Sequence, residues 1–157
     1  MSRHSVAHTS FVLDRWFAAP PTRVFQAWAD PDAKRRWADC HAEVGTTEYS
    51  MDFRPGGREI HRAILPDARP QLVEKTFLEI LPNARIIFAY AMEADGRHLS
   101  ASLVTVEFHA ERSGTRLKLT EQLAYLDGHD DLDERKRGTD EGLDRLVLEL
   151  AKDLPAS

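Results

Sequence analysis

Alternating apolar and polar positions extend over most of the chain between residues 11 and 125. In each of several segments, apolar side chains recur at every second position, which is typical of strands with one face on a core. Turn-forming proline, glycine, aspartate and asparagine residues separate these segments. The predicted strands are 11–17, 43–53, 58–65, 71–81, 85–93, 99–110 and 115–125. This regular succession predicts a curved antiparallel sheet of about six or seven strands, arranged as a meander.

Three further segments predict helices. Residues 22–28 and 31–37 form two short ones, with Pro21 in the first turn of the first and Asp30 as N-cap of the second. In residues 132–154, apolar side chains recur at three- and four-residue spacing, which indicates one long amphipathic helix. A single helix face against a single sheet face predicts a two-layer α+β domain. The whole chain, 1–157, is expected to be one domain with a core of about 11–154.

Composition and charge limit the classes of function. The chain carries 21 basic and 26 acidic residues, a net charge of −5, and no long basic run, so no nucleic-acid partner is expected. The short cluster Lys34-Arg35-Arg36 is interpreted as a solvated helix face. The longest apolar run, residues 86–92, is too short to span a membrane. We expect a cytoplasmic protein without membrane insertion, in which the single cysteine, Cys40, is a small, partly buried side chain.

Several stretches together resemble a known family. They are AAPPTRVFQAWADPDAKRRW, DFRPGGR, FLEILPNARIIFAY, and GTRLKLTEQLAYLDGHDD followed by RKRGTDEGLDRL. In this order, over about residues 11–151, they are similar to a bacterial subgroup of the activator-of-heat-shock-protein-90-ATPase homologue-like family, within the START-like or SRPBCC superfamily. The resemblance implies a helix-grip fold like that of the birch allergen, in which a long C-terminal helix lies across the sheet above a cavity. It implies no fixed catalytic motif.

This fold predicts that a small hydrophobic or amphipathic molecule binds in the cavity. We expect no cofactor, and exposed sheet edges make a homodimer one possible assembly. The alternatives are a cyclase- or hydrolase-like enzyme that uses cavity acids, or a chaperone-interacting domain. Trp37 is expected at the cavity mouth. The candidate ligand-binding residues are Trp37, Tyr49, Met51, Phe53, Arg62, Phe88, Tyr90, Val104, Val106, Glu121, Leu143 and Leu146.

Glu121 is the most unusual of these candidates. By strand parity it shares a face with Leu119 and Leu123, which are expected to meet the long helix. A buried carboxylate needs a partner or takes up a proton. Arg62, by parity with Ile60 and Ile64, is the candidate for an inward-pointing bidentate partner of Glu121, and whether the two pair is left open. A structural pair, a ligand anchor and a general acid or base all remain open for Glu121.

The acidic segment Asp127-Gly128-His129-Asp130-Asp131 precedes the long helix. It lacks the ligand spacing of an EF-hand and the His or Cys ligands of a zinc site, so no metal site is predicted. We interpret it as a turn at Asp127-Gly128, followed by Asp130 or Asp131 as the helix N-cap. His61, His98 and His109 are scattered over different strands, and no catalytic residue is predicted from them.

Overall fold

The predicted order of strands and helices is present in the computed structural model, which describes residues 4–38 and 46–152. Most bounds lie within a few residues of those predicted. The first strand begins earlier than expected and the last helix ends before residue 154. The elements are β1 (Val6–Phe17), α1 (Pro21–Ala29), α2 (Pro31–Ala38), β2 (Thr46–Met51), β3 (Arg58–Ile64), β4 (Pro70–Leu81), β5 (Arg85–Ala94), β6 (Arg97–Glu111), β7 (Gly114–Leu126) and α3 (Leu132–Leu150).

The seven described strands form one sheet in the order β1-β7-β6-β5-β4-β3-β2, and every neighbouring pair is antiparallel. The chain leaves β1, crosses through α1 and α2 to the far edge, and returns strand by strand until β7 pairs with β1. Helix α3 then packs against α2, α1 and β1. This arrangement is the predicted helix-grip fold.

The β5–β6 hairpin shows how local chemistry sets the meander. Asp95 and Gly96 link the two strands and have φ angles of 53° and 76°. Both values lie in the left-handed region that a two-residue type I′ turn requires, and Asp-Gly is a preferred pair for this turn. The turn fixes the register in which Ala94 lies opposite Arg97.

The apolar core lies beneath α1. Phe25 of α1 makes edge-to-face contacts with Phe53 and Phe108, with ring centroids 5.8 and 5.6 Å apart. The most completely buried core side chains are Val24, Phe77, Ile86, Val104, Val106, Leu117, Leu143 and Leu146. Because α1 covers this part of the sheet, the space beneath α2 and α3 is left for a cavity.

No helix in residues 4–38 and 46–152 is long and apolar enough to cross a membrane.

Candidate functional site: a cavity with polar anchors

A cavity of about 740 Å³ lies between the inner face of the sheet and helices α2 and α3. This volume falls within the range of about 300–1,000 Å³ that is usual for small-molecule sites. Its wall has apolar parts from both layers, among them Trp28, Trp37, Leu119 and Leu143. Gly138 of α3 also lines it, and a Cβ atom at that position would meet no atom within 4 Å. The cavity therefore reaches up to the backbone of the helix.

Four polar side chains form a row across the sheet, which we call the polar row: Glu59, Lys75, Tyr90 and Ser102. Glu59 of β3 lies opposite Lys75 of β4, Lys75 lies opposite Tyr90 of β5, and Tyr90 lies opposite Ser102 of β6. Opposite residues on antiparallel strands project on the same face. The first three line the cavity. Pairing of the strands thus places a band of polar groups along the cavity floor.

A buried ion pair closes one end of the polar row. The Lys34 ammonium of α2 donates to the two Glu59 carboxylate oxygens at 3.1 and 3.4 Å. The Tyr49 hydroxyl donates to Glu59 Oε2 at 2.6 Å, and the Lys75 ammonium lies 3.7 Å from Oε1. Lys34 and Glu59 are only 2% and 3% exposed, so the pair is shielded from solvent. Both carboxylate oxygens of Glu59 are occupied by protein donors.

The pKa values of this pair reflect burial and mutual attraction. Burial lowers the pKa of Lys34 to about 8, although Glu59 partly opposes the decrease. Burial acts on Glu59 in the opposite direction, but Lys34, Lys75 and the Tyr49 hydroxyl together lower its pKa to about 2. At neutral pH the pair is therefore ionised, a protonated Lys34 facing a carboxylate.

The interpretation of Lys34-Arg35-Arg36 as a solvated face is wrong for Lys34. Lys34 and Trp37 are three residues apart, so they lie on the same side of α2, and that side faces the interior. The Lys34 ammonium lies 5.1 Å from the Trp28 ring centroid and 5.7 Å from that of Trp37. Arg35, on the outer side, is exposed. The three-residue spacing between Lys34 and Trp37 was the sequence signal that could have found a buried Lys34.

A second polar cluster surrounds Glu121, which faces inward as strand parity predicts. Its Oε2 accepts hydrogen bonds from the Tyr90 hydroxyl at 2.5 Å and the Ser102 hydroxyl at 2.8 Å. Arg135 of α3 places its Nη1 3.7 Å from the same oxygen. Glu121 is 3% exposed and lines the cavity. Burial, followed by the Glu121 charge, raises the pKa of Tyr90, so its hydroxyl stays protonated as a donor.

Arg62 does not pair with Glu121, and its assignment as an inward-facing cavity residue is wrong. Arg62 is exposed and binds Glu48 at 2.8 Å. The prediction placed Ile60 and Ile64 inward, whereas Ile64 is 39% exposed and the buried positions of β3 are Glu59 and Ala63. The hydropathy pattern predicted that the isoleucine face of β3 points inward. The opposite face, which carries Glu59, points into the cavity instead.

Arg135 replaces Arg62 as the cationic partner of Glu121. Its guanidinium donates to Ser100 Oγ at 2.8 Å and lies 3.3 Å from Asp131. It also lies over the Tyr125 ring, 5.2 Å from the centroid. Four-residue steps back from Leu143 along the α3 stripe lead to Thr139 and Arg135, so this extension of the stripe was the signal that could have found it.

The acidic loop before α3 differs partly from its prediction. Asp127 and Gly128 form the expected turn, with φ angles of 55° and 83°. Asp131 occupies the N-cap position, but its side chain makes no capping hydrogen bond. Instead it accepts from Tyr125 at 2.6 Å and contacts Arg135, so of the two predicted N-cap residues Asp131 holds the position without a capping hydrogen bond. Asp130 Oδ1 accepts from the Leu132 amide at 3.2 Å.

Among residues 4–38 and 46–152, no three histidine, cysteine, aspartate or glutamate side chains are grouped so as to hold a metal ion.

The cavity wall contains some of the candidate ligand-binding residues but not others. Trp37, Tyr49, Tyr90, Glu121 and Leu143 line it. Trp37 is a buried wall residue rather than a mouth residue, since its indole donates to the Ala27 carbonyl at 2.8 Å. Outside the lining, packed within or against the core, are Met51, Phe53, Phe88, Val104, Val106 and Leu146. The lining polar residues that the sequence did not suggest include Lys34, Glu59, Lys75, Asp131 and Arg135.

Cys40 and residues 43–45 of the predicted second strand lie outside the described residues.

The fold defines a helix-grip protein with a cavity between the sheet and helices α2 and α3. Residues 18–154 match the family described as activator of Hsp90 ATPase homolog 1-like protein. The chain belongs to this family, which lies within the SRPBCC superfamily, as the sequence resemblance predicted.

Two solved structures of bacterial proteins support the assignment. An uncharacterised protein from Rhizobium leguminosarum is 43% identical, with a TM-score of 0.91, over 97% of this chain and 100% of that one. The protein Mll3558 from Rhizobium loti is 39% identical, with a TM-score of 0.85, over 92% of this chain and 99% of that one. No curated protein is similar enough to this chain to be matched.

Proposed function

We propose that this protein binds a small amphipathic molecule in the cavity between the sheet, α2 and α3. The observation that carries the proposal is the combination of apolar walls and fixed polar groups around one space of about 740 Å³. Sites for small molecules combine these features, because apolar contacts supply most of the affinity and a few polar groups set orientation. The indole rings of Trp28 and Trp37 and the leucines of β7 and α3 provide the apolar contacts.

The polar groups of the cavity favour an amphipathic ligand over a purely apolar one. Lys75 lies opposite Tyr90 on the cavity floor, the Tyr90 hydroxyl donates to Glu121, and Arg135 approaches Glu121 from the helix. Covering such groups with hydrocarbon removes their water without replacing its hydrogen bonds, which costs free energy. A ligand with its own polar group avoids this cost. The rigid anchoring of Glu121 by Tyr90 and Ser102 keeps one acceptor in a fixed orientation.

A cavity-filling substitution tests the proposal. N-phenyl-1-naphthylamine is a neutral probe whose fluorescence increases in apolar surroundings. We expect it to bind the wild-type protein saturably, with one-to-one stoichiometry. Phenylalanine in place of Gly138 projects into the open space next to α3, and we expect the affinity to fall about tenfold or more. The helix itself tolerates the change, because glycine is the poorer helix former.

Lys136→Phe is the matched control, because it adds the same ring to the exposed side of α3. It should leave the affinity for the probe unchanged. Equal loss in both variants, or equal binding by wild type and Gly138→Phe, would contradict binding in this cavity. Circular dichroism and the urea midpoint of each variant establish that the fold is retained.

A further inference from the structure

Of the four side chains in the polar row, Lys75 is the one that makes no hydrogen bond to another described residue. Glu59 accepts from Lys34 and Tyr49, while Tyr90 and Ser102 both donate to Glu121. The Lys75 ammonium donates no hydrogen bond within the described parts of the chain. Its nearest carboxylate oxygen, on Glu59, is 3.7 Å away and already has a donor.

Aromatic rings hold Lys75 in position from one side. Its ammonium lies 5.0 Å from the ring centroid of Phe88 and 5.8 Å from that of Tyr90. Ring faces attract a cation but accept none of its hydrogen bonds in the ordinary sense. The Lys75 side chain is 22% exposed and lines the cavity. The three N–H donors of the ammonium are therefore available to a molecule inside the cavity.

The charges at this end of the polar row do not cancel. Lys34 and Lys75 are two cations that share a single carboxylate, Glu59. In the second polar cluster, the carboxylates of Glu121 and Asp131 share the guanidinium of Arg135, and His129 Nε2 also lies 3.2 Å from Asp131. Counted over these groups alone, the surroundings of Lys75 carry more positive charge than those of Glu121. An anionic group of a ligand is attracted to the surroundings of Lys75.

We propose that the ligand of this cavity is a small monocarboxylate with an apolar or aromatic body, and that its carboxylate binds the Lys75 ammonium. The body then lies against the tryptophan rings of α1 and α2 and the leucines of β7 and α3. This inference rests on the proposed function and specifies the chemical class of the ligand.

Three probes of one shape test the charge preference: 4-phenylbutyrate, its neutral amide and 4-phenylbutylamine. Binding is followed by the intrinsic fluorescence of the protein, since Trp28 and Trp37 line the cavity. In the wild type we expect the carboxylate to bind about tenfold or more tightly than the amide, because a charge-assisted hydrogen bond is stronger than a neutral one. The amine should bind most weakly.

Lys75→Met should remove the advantage of the carboxylate over the amide and leave the amide affinity similar. Lys118→Met is the control, since it removes the same charge from an exposed position on the opposite face of the sheet. It should keep the full advantage. Lys75→Arg should retain most of it.

Equal affinities for carboxylate and amide, tightest binding of the amine, or an advantage that survives in Lys75→Met would overturn the inference. Any of these results obtained while N-phenyl-1-naphthylamine still binds, and Gly138→Phe still blocks it, would leave the proposed function standing. Failure of N-phenyl-1-naphthylamine and of all three phenylbutyl probes to bind would overturn both proposals.

Discussion

Replacing Glu59 by leucine should lower the free energy of unfolding by about 3–5 kcal/mol at neutral pH. The substitution leaves the Lys34 ammonium buried among aromatic rings without its carboxylate partner. A buried charge without a partner costs far more than an intact pair stabilises. Urea denaturation followed by tryptophan fluorescence measures the loss. The double variant Lys34→Met/Glu59→Leu should recover most of it, because both charges are then replaced by apolar side chains of similar length.

The exposed pair of Arg62 and Glu48 provides the comparison. Their side chains are 55% and 53% exposed, so Arg62→Met should change the free energy of unfolding by less than about 1 kcal/mol. A loss of the same size in Arg62→Met and Glu59→Leu would show that burial does not set the cost of breaking an ion pair in this protein.

Acidification tests the same pair without a destabilised single variant. The pKa of Glu59 is about 2 in the folded protein, below its ordinary value of 4.5, so the folded state binds fewer protons than the unfolded state between these values. The contribution of Glu59 is complete above pH 4.5 and decreases as the pH falls toward 2. The wild type should therefore lose stability relative to the Lys34→Met/Glu59→Leu variant as the pH is lowered through this range. A constant difference would contradict the pairing.

Replacing Arg135 by methionine should lower the free energy of unfolding by about 3 kcal/mol. Here the buried groups left without a partner are negative charges. Two carboxylates, Glu121 and Asp131, then remain at the cavity wall without their shared cation. Adding Glu121→Gln to Arg135→Met should recover part of the loss. The amide oxygen of glutamine can still accept from Tyr90 and Ser102, and one uncompensated charge is gone. The urea midpoints of the single and double variants decide this.

Arg137→Met serves as the control for Arg135→Met. Arg137 lies two residues further along α3, is largely exposed, and approaches Glu141 only at 3.9 Å. Its replacement should change the free energy of unfolding by about 0.5 kcal/mol or less. If the loss in Arg135→Met were equally small, the cluster around Glu121 would not depend on this cation.

The elements and their order could be predicted from the sequence because most strands obey a simple rule. In β5, β6 and β7 the inward positions are apolar, and the exceptions, such as Glu121 and Tyr90, stand among apolar neighbours on the same face. Turns such as Asp95-Gly96 marked the ends of the strands. One long apolar stripe marked α3. These local patterns, together with the family resemblance, were enough to predict the helix-grip fold.

The cavity wall was harder to predict because hydropathy does not identify the polar side chains that a fold buries. β3 directs Glu59 inward and leaves Ile64 partly exposed, so its parity was assigned wrongly. Lys34 looked like part of a solvated cluster, because its partner Glu59 is 25 residues away in the chain. Arg135 lies among other charged residues near the beginning of α3, so the sequence did not single it out. Each of these side chains is explained by a partner on another element, which only the folded chain brings close.

These polar exceptions are also what separates the cavity from an ordinary core. In the core beneath α1, aromatic and aliphatic groups fill the space, whereas beneath α2 and α3 paired charges surround a space that they do not fill. Ionic groups of this kind do little for stability when compared with apolar packing. Their arrangement around an open volume supports the proposed binding of an amphipathic ligand.

Binding of a small molecule in the space between the sheet and α3 is tested most directly by intermolecular nuclear Overhauser effects. The measurement uses methyl-labelled protein and bound N-phenyl-1-naphthylamine. We predict contacts from the probe to the methyl groups of Leu119 and Leu143, which line the cavity. None is expected to Val12 and Leu103, which are exposed on the opposite face of the sheet. Contacts to Val12 and Leu103 without contacts to Leu119 and Leu143 would contradict the account.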